Sequence, residues 1–173
     1  MDKAELRKRF RRLPVSQDAS RLVCSCLLED SAVQNASQLL LYWPLPDEID
    51  ITPLFKLDRD LALPKVDITA HTMDFYPFTG ELIKGALGVM EPSSVCPVQL
   101  RPDALMIVPA LAYSLSGVRL GRGMAYYDGY LRGRSIRTIG VITSERILPV
   151  IPADRHDVRI ERIFCEKGEV RLI

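Results

Sequence analysis

Three apolar runs constrain the fold more than any other feature of the chain: Leu39-Leu40-Leu41-Tyr42, Ala104 to Val108, and Ile136 to Thr143. None shows the in–out alternation of a strand with one wet face, so each is expected to be a strand buried on both sides, as in a sheet covered by helices. Further strand candidates lie at Leu61-Ala62-Leu63 and Met73 to Phe78. Helical segments separate them. Residues 2–12 read as a short basic helix ending at Leu13-Pro14, because proline disfavours helix in the residue before it. A second helix is expected from Ser16, with Leu22, Val23, Cys26 and Leu27 on its apolar face. Thr52-Pro53 reads as an N-cap and a first-turn proline opening a short helix through Leu57. Strands alternating with helices predict an α/β fold.

With 173 residues, the chain suits one domain, 1–173, closed around a single core. The stretch Glu91 to Pro102 reads as a long connection inside that domain. No apolar run approaches a bilayer span, and MDKAELRKRF is charged from its second residue, unlike a secretion signal. The four cysteines form no CxxC pair or zinc spacing, so reduced thiols and a cytoplasmic location are expected. A net charge of +1 argues against general nucleic-acid binding. That balance conceals two cationic stretches. Residues 1–12 carry six basic and two acidic side chains, and residues 117–134 four basic and one acidic, leaving −6 for the rest.

The second of these stretches contains Gly117-Val118-Arg119-Leu120-Gly121-Arg122-Gly123-Met124-Ala125-Tyr126-Tyr127-Asp128, running into an expected helix over Tyr126 to Leu131. Glycines let backbone N–H groups converge on an anion, and a helix start adds unpaired donors. Arg119 and Arg122 offer forked donors to phosphate, and Asp128 offers a carboxylate to a magnesium ion bridging a polyphosphate. The string is neither a P-loop nor a dinucleotide fingerprint. From the residues alone, a glycine-containing turn with two solvated arginines remains an open reading.

The string nevertheless resembles the signature of the 5-formyltetrahydrofolate cyclo-ligase family, approximately G-x-R-L-G-x-G-x-G-Y-Y-D, and differs at one fixed position, where Ala125 replaces glycine. The resemblance extends over residues 3–165 through Lys3-Ala4-Glu5-Leu6-Arg7, LLLYWPLPDEIDITPLF, Leu63-Pro64-Lys65, Met73 and Phe75, Glu91-Pro92 and His156-Asp157. It implies a three-layer α/β/α sandwich with a mainly parallel sheet, of the sugar-phosphate isomerase and CoA-transferase-like group. It also implies ATP-dependent closure of 5-formyltetrahydrofolate to 5,10-methenyltetrahydrofolate by a monomer, with ADP and phosphate released.

Carried over residue by residue, the resemblance makes Lys3 and Arg7 nucleotide contacts from one helix face. Arg119, Leu120, Gly121, Arg122, Gly123, Met124, Ala125, Tyr126 and Tyr127 become the phosphate-binding loop, with Arg122 and Tyr127 in catalytic positions. Trp43 and Glu48 become substrate contacts, an aromatic plane for the pterin and a carboxylate for its 2-amino-pyrimidine edge. Asp128 and Asp157 become the Mg²⁺ ligands. The sequence departs from the family pattern in two further places: Ser114 stands where a carboxylate is usual, and Gly88-Val89-Met90 where a tryptophan is common. Two alternatives stay open here, an ATP-dependent salvage enzyme of the same fold with another substrate, and a non-catalytic nucleotide- or folate-binding module.

Overall fold

The computed structural model describes residues 2–11 and 13–173. In chain order the helices are α1 (Lys3–Phe10), α2 (Gln17–Glu29), α3 (Ser31–Asn35) and α4 (Tyr126–Leu131). The strands begin with β1 (Gln38–Leu40), β2 (Asp60–Asp67), β3 (Thr72–Pro77), β4 (Leu82–Lys84), β5 (Met90–Pro92) and β6 (Leu105–Pro109). They continue with β7 (Ala112–Ser114), β8 (Arg119–Leu120), β9 (Arg137–Val141), β10 (Ile147–Leu148), β11 (Arg162–Cys165) and β12 (Gly168–Glu169).

Seven strands form the main sheet in the order β12-β11-β9-β6-β1-β2-β3. The pairings β11–β9, β9–β6, β6–β1 and β1–β2 are parallel, and an antiparallel strand closes each edge. The absence of alternation in the apolar runs now has a structural cause. Leu39, Leu105, Ile107, Ile139 and Val141 pack into one cluster with Val23, Leu27 and Val33 from α2 and α3. Their neighbours Leu40, Met106 and Val108 point the other way, into a cluster with Tyr130 and Leu131 of α4. Each strand therefore serves two cores, giving the expected three layers, with α4 the short helix on the second face.

Several local expectations are corrected. Helix α2 starts at the expected cap, where the Ser16 hydroxyl accepts the Ala19 N–H, but it buries Ser20, Val23, Cys24 and Leu27. Leu22 is 40% exposed and Cys26 only half-buried. The small side chains of Ser20 and Cys24 let the helix sit close to the chain at Asp50: the Ser20 hydroxyl accepts the Asp50 N–H, and the Cys24 thiol donates to its carbonyl. The segment at Thr52 is a 3₁₀ turn, Thr52–Lys56, in which Ile51 occupies the cap position and Asp50 Oδ1 accepts the Thr52 N–H. The connection expected over 91–102 begins inside a hairpin, since β5 pairs antiparallel with β4. No helix among the described residues is long and apolar enough to cross a membrane.

A small second sheet, β10-β7-β8, positions the glycine-rich segment. Helix α1 docks on it by burying Leu6 and Phe10 against Leu111, Ala112, Val118, Leu120 and Ile151. A capping box fixes its first turn, with Asp2 accepting the Glu5 N–H and Glu5 accepting the Asp2 N–H. Because α1 is anchored through Leu6 and Phe10, the half-buried pair Lys3 and Arg7 is carried along the edge of that contact.

Candidate active site

One cavity of about 590 Å³ is lined by Lys3 and Arg7 of α1, Trp43 and Glu48 after β1, the segment 121–128, and Asp154 to Asp157. Segments far apart in sequence, each singled out by the sequence reading, thus line one concavity. The hairpin β4–β5 supplies an apolar wall through Leu87, Val89 and Met90.

Around the glycine-rich segment, Arg7 Nε donates to the Gly121 carbonyl at 3.0 Å, and Arg11 donates to the Arg122 carbonyl. Two cationic side chains are therefore fastened to the loop they accompany. A Cβ at Gly121 would lie 2.5 Å from Arg119 Nη1, so the absent side chain leaves room for the guanidinium where it meets Asp128. The N–H groups of residues 121–125 donate no hydrogen bond to any described residue, which leaves them available along the cavity wall. Leu120 is a correction to the expected loop: its side chain is fully buried beside Leu6 and Phe10, so it docks the loop and does not reach the cavity.

Ala125 occupies the left-handed region (φ 54°, ψ 17°) immediately before α4. A side chain there costs about 1–2 kcal/mol that glycine avoids. Ala125→Gly is expected to raise the melting temperature by about 2–4 °C, as measured by calorimetry. An unchanged or lower value would mean that the methyl group makes a compensating contact.

Four of the five carboxylates lining the cavity are paired with its cations, and the fifth, Glu91, accepts the Val66 N–H. Arg119 Nη2 meets Asp128 Oδ2 at 2.6 Å with both side chains buried, while Asp128 Oδ1 accepts the Val158 N–H at 3.1 Å. Lys3 Nζ lies 2.6 Å from Asp157 and 2.7 Å from Asp154. Burial alone would lower the Lys3 pKa, but its hydrogen bonds to Asp154 and Asp157 outweigh burial and raise it. Arg122 bridges Glu48 at 3.0 Å and Asp47 at 2.5 Å. The five Lys and Arg residues lining the cavity face five Asp and Glu residues, so the cationic stretches seen in sequence are locally balanced. The acids that balance them, Asp47 and Asp154 among them, drew no attention in sequence; each stands within three residues of an acid that did.

Glu48 closes a tight turn, its Oε2 accepting the Leu45 N–H at 3.0 Å. Burial raises its pKa, and Arg122 offsets this only in part. Tyr127 is half-buried and its pKa is likewise pushed up, chiefly by desolvation and then by the nearby Glu48. Trp43 stacks on Phe55 with ring centroids 5.8 Å apart and 7° between planes, which sets the orientation of the indole at the cavity wall. Ser114, where the family pattern has a carboxylate, is fully buried and accepts the Val118 N–H, a turn-closing role. Met73 lines the cavity, whereas Phe75 packs on Tyr130 in the core.

Asp128 and Asp157 line the same cavity, and Asp128 touches the backbone next to Asp157. No group of three or more His, Cys, Asp or Glu able to hold a metal occurs among the described residues. This donor set is too small for an all-protein cage but fits magnesium arriving with a nucleotide, which needs only one or two carboxylates beside phosphate oxygens and water.

Comparison with known proteins agrees with the fold. A mouse 5-formyltetrahydrofolate cyclo-ligase is 26% identical over 189 residues, covering 95% of this chain and 91% of the mouse protein. A Mycolicibacterium smegmatis 5-formyltetrahydrofolate cyclo-ligase is 35% identical over 92 residues, covering 51% of this chain and 47% of that protein. The solution structure of an Aquifex aeolicus 5,10-methenyltetrahydrofolate synthetase superposes with a TM-score of 0.83 at 32% identity, covering 99% of this chain and 93% of that one. Residues 3–166 match the family model as a continuous span, so the chain belongs to the 5-formyltetrahydrofolate cyclo-ligase family.

Proposed function

We propose that the chain converts 5-formyltetrahydrofolate and ATP to 5,10-methenyltetrahydrofolate, ADP and phosphate. The observation that carries this reading is the single cavity holding both the basic, glycine-rich wall and the Trp43–Glu48 wall. The formyl oxygen is a poor leaving group. Transfer of the γ-phosphoryl group to it, with the O–P bond to ADP breaking, makes it a good one. N10 then attacks the formyl carbon, loses its proton, and phosphate departs as the ring closes. Such transfer depends on positioning and charge stabilisation, which suits a site of arginines and free N–H groups with no covalent nucleophile.

In this reading Lys3, Arg7, Arg119 and Arg122 hold the polyphosphate together with the amides of Gly121, Gly123, Met124, Ala125 and Tyr126. Tyr127 stays protonated and offers a hydroxyl beside the reacting groups. Glu48 accepts the N–H groups of the pterin edge, and Trp43 stacks on its ring. When Lys3 and Arg119 turn toward phosphate, Asp157 and Asp128 are released to hold magnesium. Bound there, magnesium would neutralise charge on the polyphosphate.

The test is to mix the purified protein with 5-formyltetrahydrofolate, ATP and Mg²⁺ and to follow the methenyl absorbance together with ADP. Equimolar methenyl product and ADP, abolished by a chelator, is the expected result. ATP binding without product, at high enzyme, would overturn the reading.

A further inference from the structure

The largest fully buried side chain among the described residues is Arg146, which does not line the cavity. It sits on the 3₁₀ turn Ser144–Arg146 after β9. Its Nη1 donates to the Asp47 carbonyl at 2.8 Å and its Nη2 to the Leu13 carbonyl, while Nε is buried with no partner. One guanidinium thus ties the segment between α1 and α2 to the turn that carries Glu48. The same two segments touch directly, Val15 N–H donating to the Pro46 carbonyl. A buried cation whose Nε–H has no partner among the described residues is an expensive way to fill space, and an apolar side chain would fill it more cheaply.

The surroundings give the cation a purpose. Asp47 and Glu48 are two adjacent acids with side chains only 15% and 9% exposed, and one of their two cations, Arg122, lies on the loop expected to meet phosphate. If Arg122 turns to a polyphosphate, Arg146 is the cation left beneath the acidic turn. It reaches that turn through the Asp47 backbone and leaves the Glu48 carboxylate uncovered on the cavity side.

We propose that Arg146 is a positioning residue for folate binding: by holding the 45–48 turn from beneath, it keeps Glu48 aimed into the cavity when Arg122 is engaged by nucleotide. This rests on the folate reading above, and it assigns Arg146 no contact with substrate.

The experiment compares Arg146→Lys, Arg146→Gln and Arg146→Met with the parent. Trp43 is the only tryptophan and lies at the cavity, so its fluorescence reports 5-formyltetrahydrofolate affinity independently of turnover. Titrations are run with and without a non-hydrolysable ATP analogue, and analogue affinity is measured separately. Gln and Met are expected to weaken folate binding about tenfold, more with analogue present than without, while analogue affinity stays within about twofold. Lys, which keeps the charge and a donor, should recover part of the loss. Folate affinity unchanged in Arg146→Gln, equal loss of both ligands, or failure of all three variants to fold would each overturn the proposal. Folate binding by the parent without cyclisation would instead sink the catalytic reading, and leaves the positioning role to be judged by the affinities.

Discussion

Arg122→Ala is expected to lower kcat/KM for cyclisation about a thousandfold, because the side chain serves two walls of the cavity. On one wall it is the direct partner of Asp47 and Glu48, whose carboxylates are largely buried. Removing it leaves two like charges without that partner, an arrangement far more costly than an exposed pair would be. On the other it belongs to the loop proposed to receive the polyphosphate, where one lost charge-stabilising donor alone costs about a hundredfold to a thousandfold. Burial would lower the Arg122 pKa, but its bonds to Asp47 and Glu48 raise it, so the guanidinium remains charged throughout the working pH range. Arg122→Lys should fall between, since an ammonium keeps the charge but cannot span both carboxylates as a planar fork does. Steady-state rates decide the matter, and a loss under tenfold for the alanine variant would remove Arg122 from the transfer step.

Glu48→Gln keeps shape and removes charge, and it should weaken 5-formyltetrahydrofolate binding by about tenfold to a hundredfold while leaving ATP affinity nearly intact. The accompanying pH signature is more specific. Burial raises the Glu48 pKa despite Arg122, and Tyr42, Tyr113, Tyr127, Asp47 and Arg146 complete its charged and titratable surroundings. Acceptance of pterin N–H groups needs the ionised form, so folate affinity in the parent should fall on acidification at a pH above the usual carboxylate range. The glutamine variant should lack that limb. For stability the sign is opposite: the folded chain binds the Glu48 proton more tightly than the unfolded chain, so this contribution is full at low pH and lost as pH rises through the raised value. Identical acid limbs in parent and variant would assign the pH dependence to another group.

The central strands were legible because Leu39 and Leu40, or Ile107 and Val108, are apolar neighbours facing opposite layers, and a run with no polar face has few other uses. The inward face of α2 was not, because a hydrophobic count favours Leu22 over Ser20 and Cys24, whereas close packing favours the smaller pair. The second sheet was invisible for a different reason. Its strands β8 and β10 are two residues long, too short for a periodicity, and they exist through pairing with β7. At the site, most of the residues that line the cavity could be read from motif order, but their partners could not. Nothing local links Arg122 to Glu48 or Lys3 to Asp157, 74 and 154 residues apart. Leu120 shows the converse, a motif position whose side chain holds up the loop from behind.

The docking of α1 ties ligand occupancy to structural integrity. Leu6 and Phe10 anchor the helix, while Lys3 and Arg7, on the same eight residues, face the cavity. A helix this short has little stability by itself and persists through its tertiary contacts. A polyanion held by Lys3 and Arg7, as proposed, would therefore also clamp the N-terminal helix, and detachment of that helix would take Lys3 and Arg7 away from the cavity without disturbing the central sheet. Affinity for nucleotide and resistance to local unfolding are then two readings of one equilibrium, so a substitution as remote from phosphate as Phe10→Ala would act as a binding defect.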